Sequence, residues 1–532
     1  MLFRSPSSST GSGDKADQQR KPLPDKVVEA WQAAGAEVGW LQGEFGNPMF
    51  VKSDLGKAGD LPAFRTRSWQ LAEELSKLPD PGQPFGLDLG GSQSRDAALK
   101  ELATLKSLQA LILGTEVTDA GLKELAELKG LQSLDLRATR VTGSGLKELA
   151  GLKSLRWVGI SGGTDTALKE LAGLKSLQAL DLASAHVTDA ALKELTGLKE
   201  LQSLNLRNTN VTDTGLKELA ASKSLQALNL SSTNVTDKGL KELAGLKSLQ
   251  SLVLEHTHVT DTGLKELAGL KDLHVLDLGE TKVTDAGLKE LAGLKDLQSL
   301  NLRNARVTDA GLKELAGLTS LQSLDLWGTE VTDAGLKVVA GFKNLQTLEL
   351  FGTPVTDAGM RELAGLTSLQ SLDLGFTRVS DKALKELAGL KNLRSLNLRF
   401  TNVYWLTDLP ALKDLQSLDL GGTTVDNNGL TYLAGVKSLQ WLNLGGTTVN
   451  DWGLKELARL KSLQYLDLRN SHVTDAGPKE LQKVLPDCRI TASEPSPSGG
   501  NPGGRGGRGG TPGSGRGGRG GVPGGGAASP EQ

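Results

Sequence analysis

Three carboxylates, Asp325, Glu349 and Asp373, follow one another at 24-residue intervals, and an aromatic residue stands two or three places after each: Trp327, Phe351 and Phe376. Phe400, another 24 residues on, continues the row in a chain that is only 4% aromatic. If one repeating unit sets that interval, the acids form one column and the rings a second beside it. Carboxylates pair a cation, and ring faces attract it and pack on its stem. The chemistry expected of such a patch is capture of a basic or amine-bearing segment. Arg303 and Arg399 flank it and are placed to pair an acidic rim. Trp441 and Tyr465, also 24 residues apart, form a secondary candidate. A competing reading has Phe376 and Phe400 folding back into the ascending loop to pack on each other.

Other chemistries find less support. His256 and His258 beside Glu255 make an H-x-H pair without a clear third ligand, a poor start for a metal centre. The chain carries neither a nucleophile elbow nor a phosphate-loop lysine motif. Its Asp and Lys residues recur with the repeat, and that regularity argues against any one being catalytic. The expectation is a protein that is not an enzyme and needs no cofactor or metal. A single cysteine, Cys488, excludes an intrachain disulfide framework and a cysteine-built zinc site, and it reads as a small buried apolar residue. With 60 Lys and Arg against 62 Asp and Glu, the chain has no global attraction for nucleic acid or an anionic membrane. The opening MLFRSPSSSTGSG lacks the apolar run of a secretory signal, and no stretch of about twenty apolar residues occurs to span a membrane. Cytoplasmic residence is the expectation that follows.

The elements that must position these residues come from one period. The first apolar residue of each Leu-x-Leu core falls at Leu87, Leu111, Leu134 and Val158, then at every 24th residue from Leu180 to Leu396, then at Leu418, Leu442 and Leu466, seventeen cores in all. In the unit LQSLVLEHTHVTDTGLKELAGLKD, Leu252 and Leu254 alternate as in a strand with Val253 outward, while Leu264, Leu267, Ala268 and Leu270 recur at helical spacing. Thr260 and Asp261 stand where the helix begins, a hydroxyl to cap free amides and a carboxylate for the positive dipole end. Thr257 reads as a buried hydroxyl bonded to turn backbone. One unit cannot bury its leucines alone, so units must stack. Strands about 4.8 Å apart, backed by wider helices, force the stack to curve with the strands on the concave face. The predicted fold is an α/β solenoid of about seventeen turns.

The pattern L-x-x-L-x-L-x-x-T-x-V-T-D-A-G-L-K-E-L resembles the leucine-rich-repeat superfamily, in particular its ribonuclease-inhibitor-like and cysteine-containing subclass, and is similar to large bacterial repeat families. The resemblance covers about Phe85 to Ile490. It implies a horseshoe whose concave face binds proteins or peptides, without saying which. Its ubiquitin-ligase adaptor members carry an F-box helical segment that is not evident here, so that role is not carried over.

Residues 23–84 depart from the pattern and read as an N-terminal cap, with a helix in DKVVEAWQAAG, strands in AEVGWLQ and PMFVKSD, a degenerate first turn around Phe64, and Trp31, Trp40 and Trp69 covering the open core. The solenoid is assigned to residues 85–490. Residues 1–22 and the Gly- and Arg-rich 491–532 are expected to be disordered. Arg505, Arg508, Arg516 and Arg519 form RGG-type repeats, read as a flexible spacer with RNA association through the tail as the alternative. Adaptor service to a separate enzyme is a further alternative. The unit from Leu396 to Leu418 is two residues short, and Tyr404 and Trp405 are expected to fill the resulting gap in preference to forming a second binding feature. The column between the leucines, running through Asp181, Asn205, Asp277, Asp325 and Asp419, is mostly Asp and Asn. Neighbouring charges there repel by roughly 0.9 kcal/mol even at the dielectric of water, which interspersed Asn relieves. Solubility and ligand contact both remain open as its purpose.

Overall fold

The computed structural model describes residues 22–492, except 44–47, 54–55, 58, 73 and 94. The chain divides into two units, Met1–Ser493 and Glu494–Gln532. The second unit, with the arginines at 505, 508, 516 and 519, and the start of the first lie outside the described residues.

The first helix, α1 (Asp25–Ala33), exists to bury one ring. Its Trp31 is fully buried, stacks on Phe64 at 4.1 Å between centroids and meets Phe85 edge-on at 6.3 Å. The indole Nε1–H donates to the Pro79 carbonyl at 3.0 Å, so the buried ring leaves no donor unpaired. Strand β1 (Glu37–Gln42) pairs antiparallel with β2 (Met49–Val51) on one side and with β3 (Leu61–Arg65) on the other. Trp40 is buried and donates to the Ser53 carbonyl, whereas the side chain of Trp69 lies outside the described residues. From β3 onward all pairing is parallel. Phe64 sits opposite Leu87 of β4 (Phe85–Asp88), and the ladder runs coil by coil to the closing strand Arg489–Thr491.

The sequence period becomes the register. Leu252 lies opposite Leu276 and Leu276 opposite Leu300, so each inward leucine meets its counterpart one coil away. Leu252, Leu254, Leu264, Leu267 and Leu270 all have no exposed surface. The architecture is an open α/β solenoid with a single long, almost wholly parallel sheet on one face and helices on the other.

Polar bonds close each coil on itself and tie it to the next. Thr257 is buried and donates its hydroxyl to the Leu254 carbonyl at 2.6 Å, and Thr281, Thr329, Thr353 and Thr377 repeat that bond in their own coils. Thr260 caps its helix by accepting from the Thr262 N–H. Asp261 does more than complement the helix dipole: its carboxylate accepts both the backbone N–H and the hydroxyl of Thr284 in the next coil, each at 2.7 Å. The same clasp recurs from Asp285 to Thr308 and from Asp333 to Thr356. At the other helix end, Lys271 Nζ donates to the Gly293 carbonyl one coil on, satisfying an acceptor that the helix leaves free.

The short unit keeps its place in the sheet. Leu396 still pairs with Leu418, so the missing residues come from the helical side, where a three-residue 3-10 turn, Leu409–Ala411, replaces the seven-residue helices of the flanking coils. Cys488 is buried beside the last strand, and burial pushes its thiol up from the ordinary range. Leu252→Ala is expected to cost about 2 to 5 kcal/mol and to loosen the adjacent coils, because neighbouring backbones hold the cavity open. Chemical denaturation followed by circular dichroism measures this, and a loss well under 1 kcal/mol would contradict a shared core.

Candidate functional site

Each strand ends in the same turn, and that turn decides where the rings go. Asp325 and Asp373 each accept the backbone N–H two residues on, from Trp327 at 2.9 Å and Gly375 at 2.7 Å. The following residue enters the left-handed region and donates to the next coil: Gly328 to the Phe351 carbonyl, Phe376 to that of Arg399, Phe400 to that of Gly421. Along the solenoid this position holds Asn, Ser, Gly, His or Glu, but at 376 and 400 it holds Phe, with φ of 54° and 57°. A bulky side chain there costs of order 1–2 kcal/mol. The strain falls on the two phenylalanines that stay most exposed, at 63% and 49%.

The rings form one row. Trp327 meets Phe351 edge-on at 5.2 Å, Phe351 stacks on Phe376 at 5.9 Å, and Phe376 meets Phe400 edge-on at 6.4 Å. Phe376 and Phe400 therefore touch each other without folding away from solvent. Trp327 and Phe351 are half-buried. Phe351 lies across Gly375, where an added methyl would meet its ring at 2.6 Å. Arg303 does not stand free on the rim: its guanidinium lies over the Trp327 ring at 2.9 Å, 3.9 Å from Glu280. Arg399 lies over Phe400 at 4.7 Å with its side chain exposed.

Beside the row, Asp325, Glu349 and Asp373 face one another on successive strands. Elsewhere the column alternates with amides that donate to a neighbouring carboxylate, as Asn205 does to Asp181 and Asn443 to Asp419, both at 2.9 Å. Asn397 serves Asp373 on its far side at 2.9 Å, but the acid on its near side is Glu349. One methylene longer than Asp, Glu349 bonds to Asp373, and burial together with the charges of Asp373 and Asp325 pushes its pKa up to about 7. Burial also raises Asp325, against the pull of Arg303, and raises Asp373. Near neutral pH this run therefore carries less negative charge than three separate surface carboxylates would.

Trp441 and Tyr465 stack on adjacent strands at 5.9 Å with 7° between planes, both half-buried. In the short coil, Tyr404 donates its hydroxyl to Asp426 at 2.6 Å and is half-buried, but Trp405 stays 40% exposed against the edge of Tyr432. Tyr404 is the more buried of the two, while Trp405 rests edge-on between Tyr404 and Tyr432 with much of its ring in solvent. His256 occupies a left-handed turn, and among the described residues no group of three His, Cys, Asp or Glu side chains could hold a metal. Sequence reasoning missed an apolar groove of about 330 Å³ on the helical face, between the helices Asp451–Leu457 and Ala476–Val484. Its lining is the ordinary helix pattern, so only the spacing of the last two helices reveals it.

Residues 260–423 match the pattern of the leucine-rich repeat region family, and 199–220, 221–244 and 245–268 each match a leucine-rich repeat. With the solenoid and its leucine register, this makes the chain a leucine-rich-repeat protein. Among solved structures it is similar to an internalin from Listeria monocytogenes at 25% identity, covering 60% of this chain and 88% of that one with a TM-score of 0.46. A leucine-rich-repeat protein of Leptospira interrogans is similar at 26% identity, covering 74% and 91% with a TM-score of 0.47. TLR13, in a complex with ssRNA13, shares the fold at 18% identity over 76% of this chain and 68% of that one, with a TM-score of 0.50. A comparison with curated proteins gives no match. No helix among the described residues is long and apolar enough to cross a membrane.

A carboxyl whose pKa is raised in the folded state stabilises it below the ordinary value and loses that contribution as pH rises through the folded one. Folding stability should therefore fall between about pH 4.5 and about pH 7 on account of Glu349. Thermal melts across that range should show a shallower fall for Glu349→Gln than for the native chain, and identical slopes would show that Glu349 carries no such proton.

Proposed function

We propose that this solenoid is a non-catalytic scaffold that binds a protein or peptide on its concave sheet, and that Asp325, Glu349 and Asp373 receive a basic side chain while Phe351, Phe376 and Phe400 pack on its stem. The observation that carries this reading is the coincidence, on the same successive coils, of a run of carboxylates without an intervening amide and a row of rings, two of them held outward at a backbone cost. A fold that wanted only solubility would place Asn between the acids and Gly or Asn in the turns, as other coils of this chain do. Trp327 already holds the Arg303 guanidinium, so it supports the row from behind and the incoming cation meets Phe351 and Phe376. An acidic floor repels phosphates, which disfavours nucleic acid on this face.

The probe is a fluorescently labelled arginine-containing peptide, read by anisotropy. Affinity should rise as pH climbs through about 7, where Glu349 gives up its proton, and should fall with added salt. The pair Trp327→Ala and Phe351→Ala should leave the circular dichroism spectrum intact and weaken binding about tenfold or more. Unchanged affinity in the double variant would sink the assignment.

A further inference from the structure

The second ring pair has a position that the first site does not explain. Trp441 and Tyr465 begin their strands where preceding coils carry Ser371, Ser395 and Ser417, in register across the sheet. Those serines make a low, hydroxyl-bearing floor that leaves the acidic run and ends against the Trp441 ring. Along the other edge of the same strands, the column of Phe351 continues as Gly375, Arg399, Gly421, Gly445 and Arg469, so between Phe351 and the coil of Tyr465 only Arg399 rises from it. The surface between the two aromatic groups is an open path with a ring at each end.

We propose that one extended peptide segment spans both groups, with a basic side chain at Asp325, Glu349 and Asp373 and a planar apolar side chain, aromatic or proline, laid on Trp441 and Tyr465. This deepens the reading above and rests on it for the first contact. The spacing follows from sheet geometry. From the strand Thr347–Glu349 to the midpoint of Trp441–Asn443 and Tyr465–Asp467 is four and a half strand intervals, roughly 22 Å at about 4.8 Å each. Phe351 lies three residues after Leu348 and Trp441 one before Leu442, an offset of roughly 13 Å along the strands. The diagonal is roughly 25 Å, and an extended chain at about 3.3 Å per residue covers it in seven or eight residues. Charge sets the direction: the acidic run lies at one end, while exposed Arg399 lies along the way and Arg469 beside Tyr465, paired to Asp467. A segment basic at one end and free of positive charge toward its planar residue fits one way round. The exposed amides of Gln416, Gln440 and Gln464 stand next to the far end and offer bonds to an extended backbone.

The test is anisotropy on the full chain with synthetic Gly/Ser peptides that carry one arginine and one tryptophan, separated by about two to about twelve residues. Affinity should peak at a separation of seven or eight, about tenfold above the peptide with arginine alone. The double variant Trp441→Ala, Tyr465→Ala should lower the peak to the arginine-only level while leaving arginine-only binding intact, which also shows that the variant is folded. Affinity independent of separation, or a peak that survives the double variant, overturns the spanning segment and leaves the first contact standing. Failure of every arginine peptide overturns the first contact and this inference together. Binding of a neutral glucan or a single-stranded RNA in place of the peptides does the same.

Discussion

A coil of this solenoid has no inside of its own. Its leucines become buried only when the next coil lies on them, so the contact between successive coils is the interaction on which everything else rests. That contact is apolar at its centre and polar at its margins, where Asp261 takes the Thr284 amide and hydroxyl and Lys271 takes the Gly293 carbonyl. The polar margins do what leucines alone cannot. Apolar packing tolerates sliding, whereas a carboxylate that accepts two bonds from one threonine permits a single register. With register held, side chains 24 residues apart share a column, and the surface is written by substitution within columns.

The candidate site follows from breaking column rules without breaking the ladder. Asp in the strand closes its own turn by accepting the N–H two residues on, and Glu349 exchanges that duty for a bond to Asp373. Phe376 and Phe400 take a turn position suited to Gly or Asn, yet their amides still donate to the next coil. The backbone bonds to the next coil are kept at these positions, from Leu350 to Asp373, Gly352 to Gly375, Phe376 to Arg399 and Phe400 to Gly421, so the cost of each departure stays local. A globular core would spread such strain through many contacts; here the deep leucines beneath, Leu374 and Leu398, remain fully buried.

Much of this was legible because a strict period turns a three-dimensional question into a one-dimensional one. The strand and helix of each unit, the buried Thr257 hydroxyl, the Thr260 cap and the outward row of four rings all follow from spacing. What was not legible depends on lateral choices within a column. Spacing shows Arg303 near the row but not that its guanidinium lies on Trp327, since the arginine torsions are set by Glu280 on one side and the ring on the other. Likewise Asp261 reads as a helix-dipole residue in its own coil, and its partner Thr284 belongs to another. Trp405 shows the reverse: a large ring beside a deletion suggests a plug, but with only a 3-10 turn in its coil the ring meets Tyr404 and Tyr432 edge-on and stays largely exposed.

The deletion itself clarifies how one sheet can hold two ring groups. If the two lost residues came from the strand, its side chains would keep their faces, but every position past the loss would slip by two along the sheet and leave its column. They come from the helical side instead, where an α-helix shrinks to the turn Leu409–Ala411, and Leu396 remains opposite Leu418. The outward-facing column therefore passes from Asp373 through Asn397 to Asp419 and Asn443 without interruption. The irregularity is absorbed on the face that the rings do not use, so the path from the acidic run to Trp441 keeps the spacing of an unbroken parallel sheet.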